Sequence, residues 1–103
     1  VAMGWYLDGR VSAVVGTHTH VPTADARILP KGTAYISDLG MVGSTNSVIG
    51  VEIGEVLERF LTQTPRRLQV ATKGPFVFNS VLIEIDPDTG KSSNITRVDR
   101  ELD

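Results

Sequence analysis

The chain has 103 residues and a formal net charge of −2 from 10 basic and 12 acidic side chains, with 41% of its residues hydrophobic. That balance gives no electrostatic case for a DNA, RNA or membrane-surface partner, and a chain without cysteine has neither disulfides nor thiolate metal sites. The length suits one domain with a modest core and a thin stability margin, and no apolar run approaches the ~20 residues of a membrane span, so a cytoplasmic location is expected.

The first residues, Val1 to Leu7, place Met3, Tyr6 and Leu7 at near-helical spacing, and Asp8-Gly9 is a stop signal with glycine at the helix C-terminus. This predicts the last two turns of a helix, with Trp5 and Tyr6 as packing residues. A start without Met, partway into a helix, leads to the expectation of a fragment or a processed product.

Val11-Ser-Ala-Val-Val-Gly-Thr-His-Thr-His20 follows, an apolar run that ends in the only two histidines of the chain. It reads as a strand buried on both faces that gives way to a loop at Gly16. In an extended chain His18 and His20 point to the same side with Cα atoms roughly 7 Å apart. Two imidazoles so placed at the end of a core strand can face one metal ion or two neighbouring ones.

Pro22 and Pro30 bracket Val21–Gly32, which argues against one long regular element, and Asp25 and Arg27 read as a surface pair. Thr33–Ser37 alternates and predicts a second strand. Asp38–Asn46, rich in glycine and small polar residues, predicts a loop whose backbone can approach an anion or serve as a plain connector. Ile53, Val56, Leu57, Phe60 and Leu61 form one apolar stripe and predict a helix that ends by Pro65. Glu52 and Glu55 sit in its first turn, and Glu55 is spaced to pair with Arg59. Beyond it the chain reads as antiparallel strands: Leu68–Thr72, a long central Phe76–Ile85, a tight turn at Asp86–Gly90, and a polar edge strand from Lys91 to Leu102.

The run Gly16-Thr-His-Thr-His-Val-Pro-Thr-Ala-Asp25, followed by Asp38-Leu-Gly-Met41, closely resembles the C-terminal part of the YmdB-type bacterial metallophosphoesterases. The likeness continues through Gly50-Val-Glu52, Arg59–Thr62, Phe76–Asn79 and Ile83–Asp86. Those enzymes belong to the calcineurin-like superfamily and are 2',3'-cyclic-nucleotide 2'-phosphodiesterases. The resemblance implies an α/β fold, the C-terminal part of a four-layer α/β/β/α sandwich, with residues 1–103 as one domain-sized piece of it.

It also implies two metal ions, iron or manganese with zinc as a further choice. His18 and His20 match the closing Gly-x-His-x-His motif, in which each histidine ligates one ion. The implied reaction is attack on a phosphodiester, such as a cyclic nucleotide, by a metal-activated hydroxide. No segment matches the motifs that supply the family's other ligands and its catalytic histidine. No catalytic residue is therefore assigned here, and the chain alone is expected to be inactive. Thr19, Asp38, Gly40 and Asn46 are candidate substrate contacts, and a homo-oligomer is expected if apolar surface is left open. The competing reading is a non-catalytic β-rich binding or assembly module in which His-x-His is incidental.

Overall fold

A computed structural model describes residues 1–63, 65 and 67–103. Helix α1 (Ala2–Leu7) ends at Asp8, and Gly9 takes a positive φ of 82° just past the end, as the stop signal predicts. The buried Asp8 carboxylate then accepts the backbone N–H groups of Lys31 (2.9 Å) and Thr33 (3.3 Å). That fastens the α1 terminus to the start of a later strand.

Three strands form the first sheet: β1 (Ala13–Val15), β2 (Arg27–Ile28) and β3 (Ala34–Ile36), in the order β1-β3-β2. β1 runs parallel to β3 and β2 antiparallel to it, so the sheet is mixed. The central, fully buried strand is β3, and it carries Ala34, Tyr35 and Ile36 of the hydrophobic core. Tyr35 also packs against α1, where Gly4 leaves room for its ring: a Cβ there would lie 2.6 Å from Tyr35 Cδ2.

β1 departs from its sequence reading. It is an edge strand that pairs on one side only, and Val15 is 45% exposed. Trp5 and Tyr6 depart as well. Both are exposed, and each lies under a guanidinium, Trp5 beneath Arg27 (5.2 Å) and Tyr6 beneath Arg10 (4.9 Å). Arg27 is thus turned to Trp5. Asp25 instead accepts hydrogen bonds from Thr23 Oγ1 (2.7 Å) and from the backbone and hydroxyl of Ser37.

Val42–Ser44, expected to be loop, forms β4, which leads through a turn to α2 (Ile53–Thr62). Glu52 is the N-cap residue of α2, and Gln63 closes it with a left-handed φ of 56°. The apolar stripe is present, yet none of the described α2 residues is buried, and Phe60 and Leu61 are each 77% exposed. Glu55 accepts the Gln69 backbone N–H (3.0 Å). Leu68–Thr72 is not a strand; among the described residues it makes one antiparallel bridge, Val51 to Val70.

Phe76–Ile85 is two strands. β5 (Phe76–Phe78) sits between β4 and β8, while β6 (Val81–Ile85) pairs with β7 (Ser92–Arg97) in a separate hairpin closed at Asp86–Gly90. The switch falls at Asn79-Ser80, where Asn79 N–H donates to Met41 O (3.0 Å), Val98 N–H donates to Ser80 O (2.9 Å), and side chains add to these backbone bonds. Asn79 Oδ1 accepts the Met41 N–H (2.9 Å), and its Nδ2 donates to Asp99 (3.1 Å). The Lys91–Leu102 segment is correspondingly split into β7 and β8 (Arg100–Leu102), both antiparallel to their partners, as read.

A Cα radius of gyration of 17.2 Å exceeds the ~13 Å of a packed chain of this length, and among the described residues only five hydrophobic side chains are buried. The chain therefore leaves much of its apolar surface open.

Candidate metal-ligating turn

The candidate site begins where β1 ends. Gly16 continues the pairing, its N–H donating to Ile36 O (3.2 Å) and its carbonyl accepting Leu39 N–H (2.8 Å). This brings its backbone so close to β3 that a Cβ would lie 2.0 Å from Ser37 O. Only glycine fits, and the glycine of the motif is thereby explained by packing.

Past Gly16 the chain is not extended. Residues 18–21 bend, and His20 takes a positive φ of 64°. The same-side alternation expected of an extended His-Thr-His does not apply, because a turn now sets the two ring directions. Both imidazoles are exposed.

Asp38 holds that turn. It is 2% exposed, and its Oδ2 accepts the N–H of His18 (3.0 Å), the N–H of Thr19 (2.6 Å) and the hydroxyl of Thr19 (2.7 Å). Its Oδ1 accepts the Gly40 N–H (2.9 Å). The Thr19 hydroxyl, with the Gly40, Thr19 and His18 amides, holds the Asp38 carboxyl far below the ordinary carboxylate range. Asp38 is thus a buried, ionised clamp under the turn. Thr23 adds a second tie, its N–H donating to Asp38 O (3.1 Å) and its hydroxyl accepting Asp38 N–H (3.0 Å).

Of the four candidate substrate contacts, Thr19, Asp38 and Gly40 come together here with their polar groups turned on one another. Gly40 is buried at φ 102°, where a Cβ would meet Asn79 Oδ1 at 2.3 Å. Asn46 lies apart, exposed on the turn after β4.

His20 Nδ1 lies 2.8 Å from the Ile49 carbonyl oxygen on that same turn. Two clefts flank this imidazole. One, of about 600 Å³, is lined by Val21, Pro22, Met41, Val77, Asn79 and Glu101, among others; the second, of about 400 Å³, by Thr17, Gly40 and Ile49–Val51 among others. Among the described residues no group of three or more His, Asp or Glu side chains converges on one point. Two imidazoles alone would not complete a metal's ligand set, so the described residues do not by themselves make a whole metal site.

Sequence reading missed one contributor. Arg97 on β7 forks onto Asp99, with Nε to Oδ2 and Nη2 to Oδ1 both at 2.9 Å, while Nη2 also donates to Leu39 O (2.8 Å). The hairpin β6–β7 is thereby fastened to the segment that carries Asp38 and Gly40. An arginine two residues before an aspartate, at the break between two strands, was the only signal available.

The Arg97 hydrogen bonds draw the Asp99 carboxyl down from 3.8 to about 2. A group lowered on folding stabilises fully above its unfolded value and loses that contribution as the pH falls through its folded value. Stability should therefore decline between about pH 4 and pH 2, and Asp99→Asn should flatten that limb in acid-unfolding curves, with little change near neutrality beyond a constant loss.

A solved structure described as a novel phosphatase from Mycoplasma pneumoniae superposes with a TM-score of 0.88 at 38% identity, covering 97% of this chain and 36% of that one. A hypothetical protein from Thermus thermophilus superposes with a TM-score of 0.90 at 44% identity, over 99% of this chain and 39% of that one. The mixed α/β arrangement is thus shared with a solved phosphatase. The chain belongs to the YmdB-like protein family, whose model matches residues 1–98. It is 52% identical over 98 residues to the 2',3'-cyclic-nucleotide 2'-phosphodiesterase of Bacillus subtilis (strain 168), covering 95% of this chain. The chain spans 37% of that relative's length.

Proposed function

We propose that this chain is one part of a metal-dependent phosphodiesterase and contributes His18 and His20 as ligands to a two-metal centre. The observation that carries the reading is the turn itself: a buried carboxylate commits its hydrogen-bonding capacity to fixing the backbone that presents two exposed imidazoles. A pair of incidental surface histidines would have no need of such a clamp. Iron, manganese and zinc all accept imidazole nitrogen. The chemistry supplied by such ions is neutralisation of charge on the phosphoryl oxygens and activation of water.

The other ligands and the proton donor come from outside these residues, in a four-layer sandwich of which this chain is one part. The proposed substrate is a phosphodiester such as a 2',3'-cyclic nucleotide. In that reading Thr19, Asp38 and Gly40 act by holding the turn, since their polar groups already face one another. Asn46, exposed and outside that network, is the remaining candidate contact.

An assay separates this reading from the β-rich binding module. The chain alone, given Mn²⁺, should not hydrolyse a 2',3'-cyclic nucleotide or bis-p-nitrophenyl phosphate. Mixed with the remainder of a family enzyme it should restore hydrolysis, and the His18→Ala, His20→Ala variant should not. Hydrolysis by the isolated chain would contradict the division of ligands proposed here.

The open apolar surface has its own consequence. In sedimentation the chain's average mass should rise with concentration, and the double substitution of Phe60 and Leu61 by lysine should suppress the rise. A single monomer species at high concentration would count against self-association.

A further inference from the structure

The contact between His20 and Ile49 carries an inference about how the imidazole is held. A backbone carbonyl is an acceptor only, so an Nδ1-to-oxygen distance of 2.8 Å requires the proton on Nδ1. The lone pair of a neutral His20 ring is then on Nε2. Free histidine favours the opposite tautomer, so the carbonyl must be present and fixed for this one to dominate.

The turn that brings the carbonyl is strained. Ile49 is β-branched and has a φ of 47°, next to Gly50 at 92°, a region that non-glycine residues, β-branched ones above all, rarely adopt. Such a conformation persists only where its surroundings over-determine it, and they do. The Ser47 hydroxyl donates to Ser44 O (2.6 Å) and accepts Gly50 N–H (2.9 Å). Val48 and Val51 exchange both backbone hydrogen bonds at 2.9 Å, and Gly50 O accepts Ala71 N–H (2.8 Å). The fold closes a tight loop latched by one serine, and the product is a carbonyl aimed at His20.

We propose that the turn from Ser44 to Val51, latched by Ser47, is a positioning element that fixes His20 as the Nδ1–H tautomer and so presents Nε2 as a ligand. Its functional consequence rests on the reading of His20 as a metal ligand; the tautomer itself does not. Ser47 and Ile49 are positioning residues, acting through His20.

Long-range ¹H–¹⁵N correlation of the labelled chain, taken above the ordinary histidine titration range, reads the tautomer of each ring directly. His20 should be Nδ1–H, and His18, whose ring has no hydrogen-bond partner among the described residues, serves as the internal reference. Ser47→Ala should move His20 towards the Nε2–H form and weaken binding of Zn²⁺ by about tenfold or more, the usual size of an effect from the group behind a ligand. Ser47→Thr, which keeps the hydroxyl, should preserve both readouts, and so controls for general loosening of the fold. Nε2–H as the main form of His20 in the parent chain would overturn the proposal. So would an unchanged Nδ1–H signal in Ser47→Ala with the rest of the spectrum intact. A His20 fixed as Nδ1–H whose ring signals do not respond to Zn²⁺ would support the positioning element and contradict the ligand reading.

Discussion

Replacing Gly16 by alanine should cost about 3 kcal/mol or more and lower the melting temperature by roughly 15 °C. The Cβ would stand 2.0 Å from Ser37 O, a backbone atom that cannot rotate away. Relief requires β1 and β3 to separate at the point where Gly16 N–H bonds Ile36 O and Leu39 N–H bonds Gly16 O. The loss should therefore appear as weakened amide protection at Gly16 and Leu39 together with a lower melting temperature. Gly54 supplies the contrast, because a Cβ there meets nothing within 4 Å and lies in helix α2. Gly54→Ala should leave stability unchanged or raise it by up to ~1 kcal/mol. Equal effects at the two positions would mean that close approach is not what demands glycine at 16.

Asp38→Asn should release the histidine turn while leaving most of the domain folded. The carboxylate accepts four donors, three from the turn and one from Gly40. An amide of the same shape offers one acceptor oxygen and sets an NH₂ group against donors that already point inward. Exchange of the His18 and Thr19 amides should speed up by roughly tenfold or more relative to core amides of β3. Metal affinity should fall in parallel, since the backbone that carries both imidazoles loses its clamp. The parent's clamp should also weaken in acid. Its carboxyl is lowered on folding, chiefly by the Thr19 hydroxyl, so its contribution is complete above the unfolded value of 3.8 and is lost below it. Unchanged exchange in Asp38→Asn would show that something else orders the turn.

The reach of the sequence reading follows from where its signals were local. Helix α2 was legible because its stripe and stop are local, written between Ile53 and Pro65, and Asp86–Gly90 because turn chemistry is a matter of a few side chains. The boundary at Asn79-Ser80 was not legible. Phe76–Ile85 is continuous in apolar character, and what divides it is a change of partner strands at Asn79, whose side chain accepts Met41 N–H and donates to Asp99. β1 was overrated for a related reason, since an apolar run shows that burial is favoured and not what would cover the strand.

At the site, the Gly-Thr-His-Thr-His pattern located the two imidazoles, but strand alternation misjudged how they are presented. The turn depends on Asp38, twenty residues on from His18, and on a carbonyl from the turn at Ile49. Asp38 drew notice as a polar residue on a glycine-rich loop. Its role as a clamp is visible only once Gly16 brings that loop against the end of β1.

The measurement that bears most directly on the central claim is metal titration of the chain with Mn²⁺, Fe²⁺ and Zn²⁺, run beside the His18→Ala, His20→Ala variant. Two imidazoles on one ordered turn should bind weakly, and the double variant should abolish that binding. Identical binding by parent and variant would contradict the assignment of His18 and His20. Two ions held tightly by the chain alone would contradict the claim that the remaining ligands lie elsewhere.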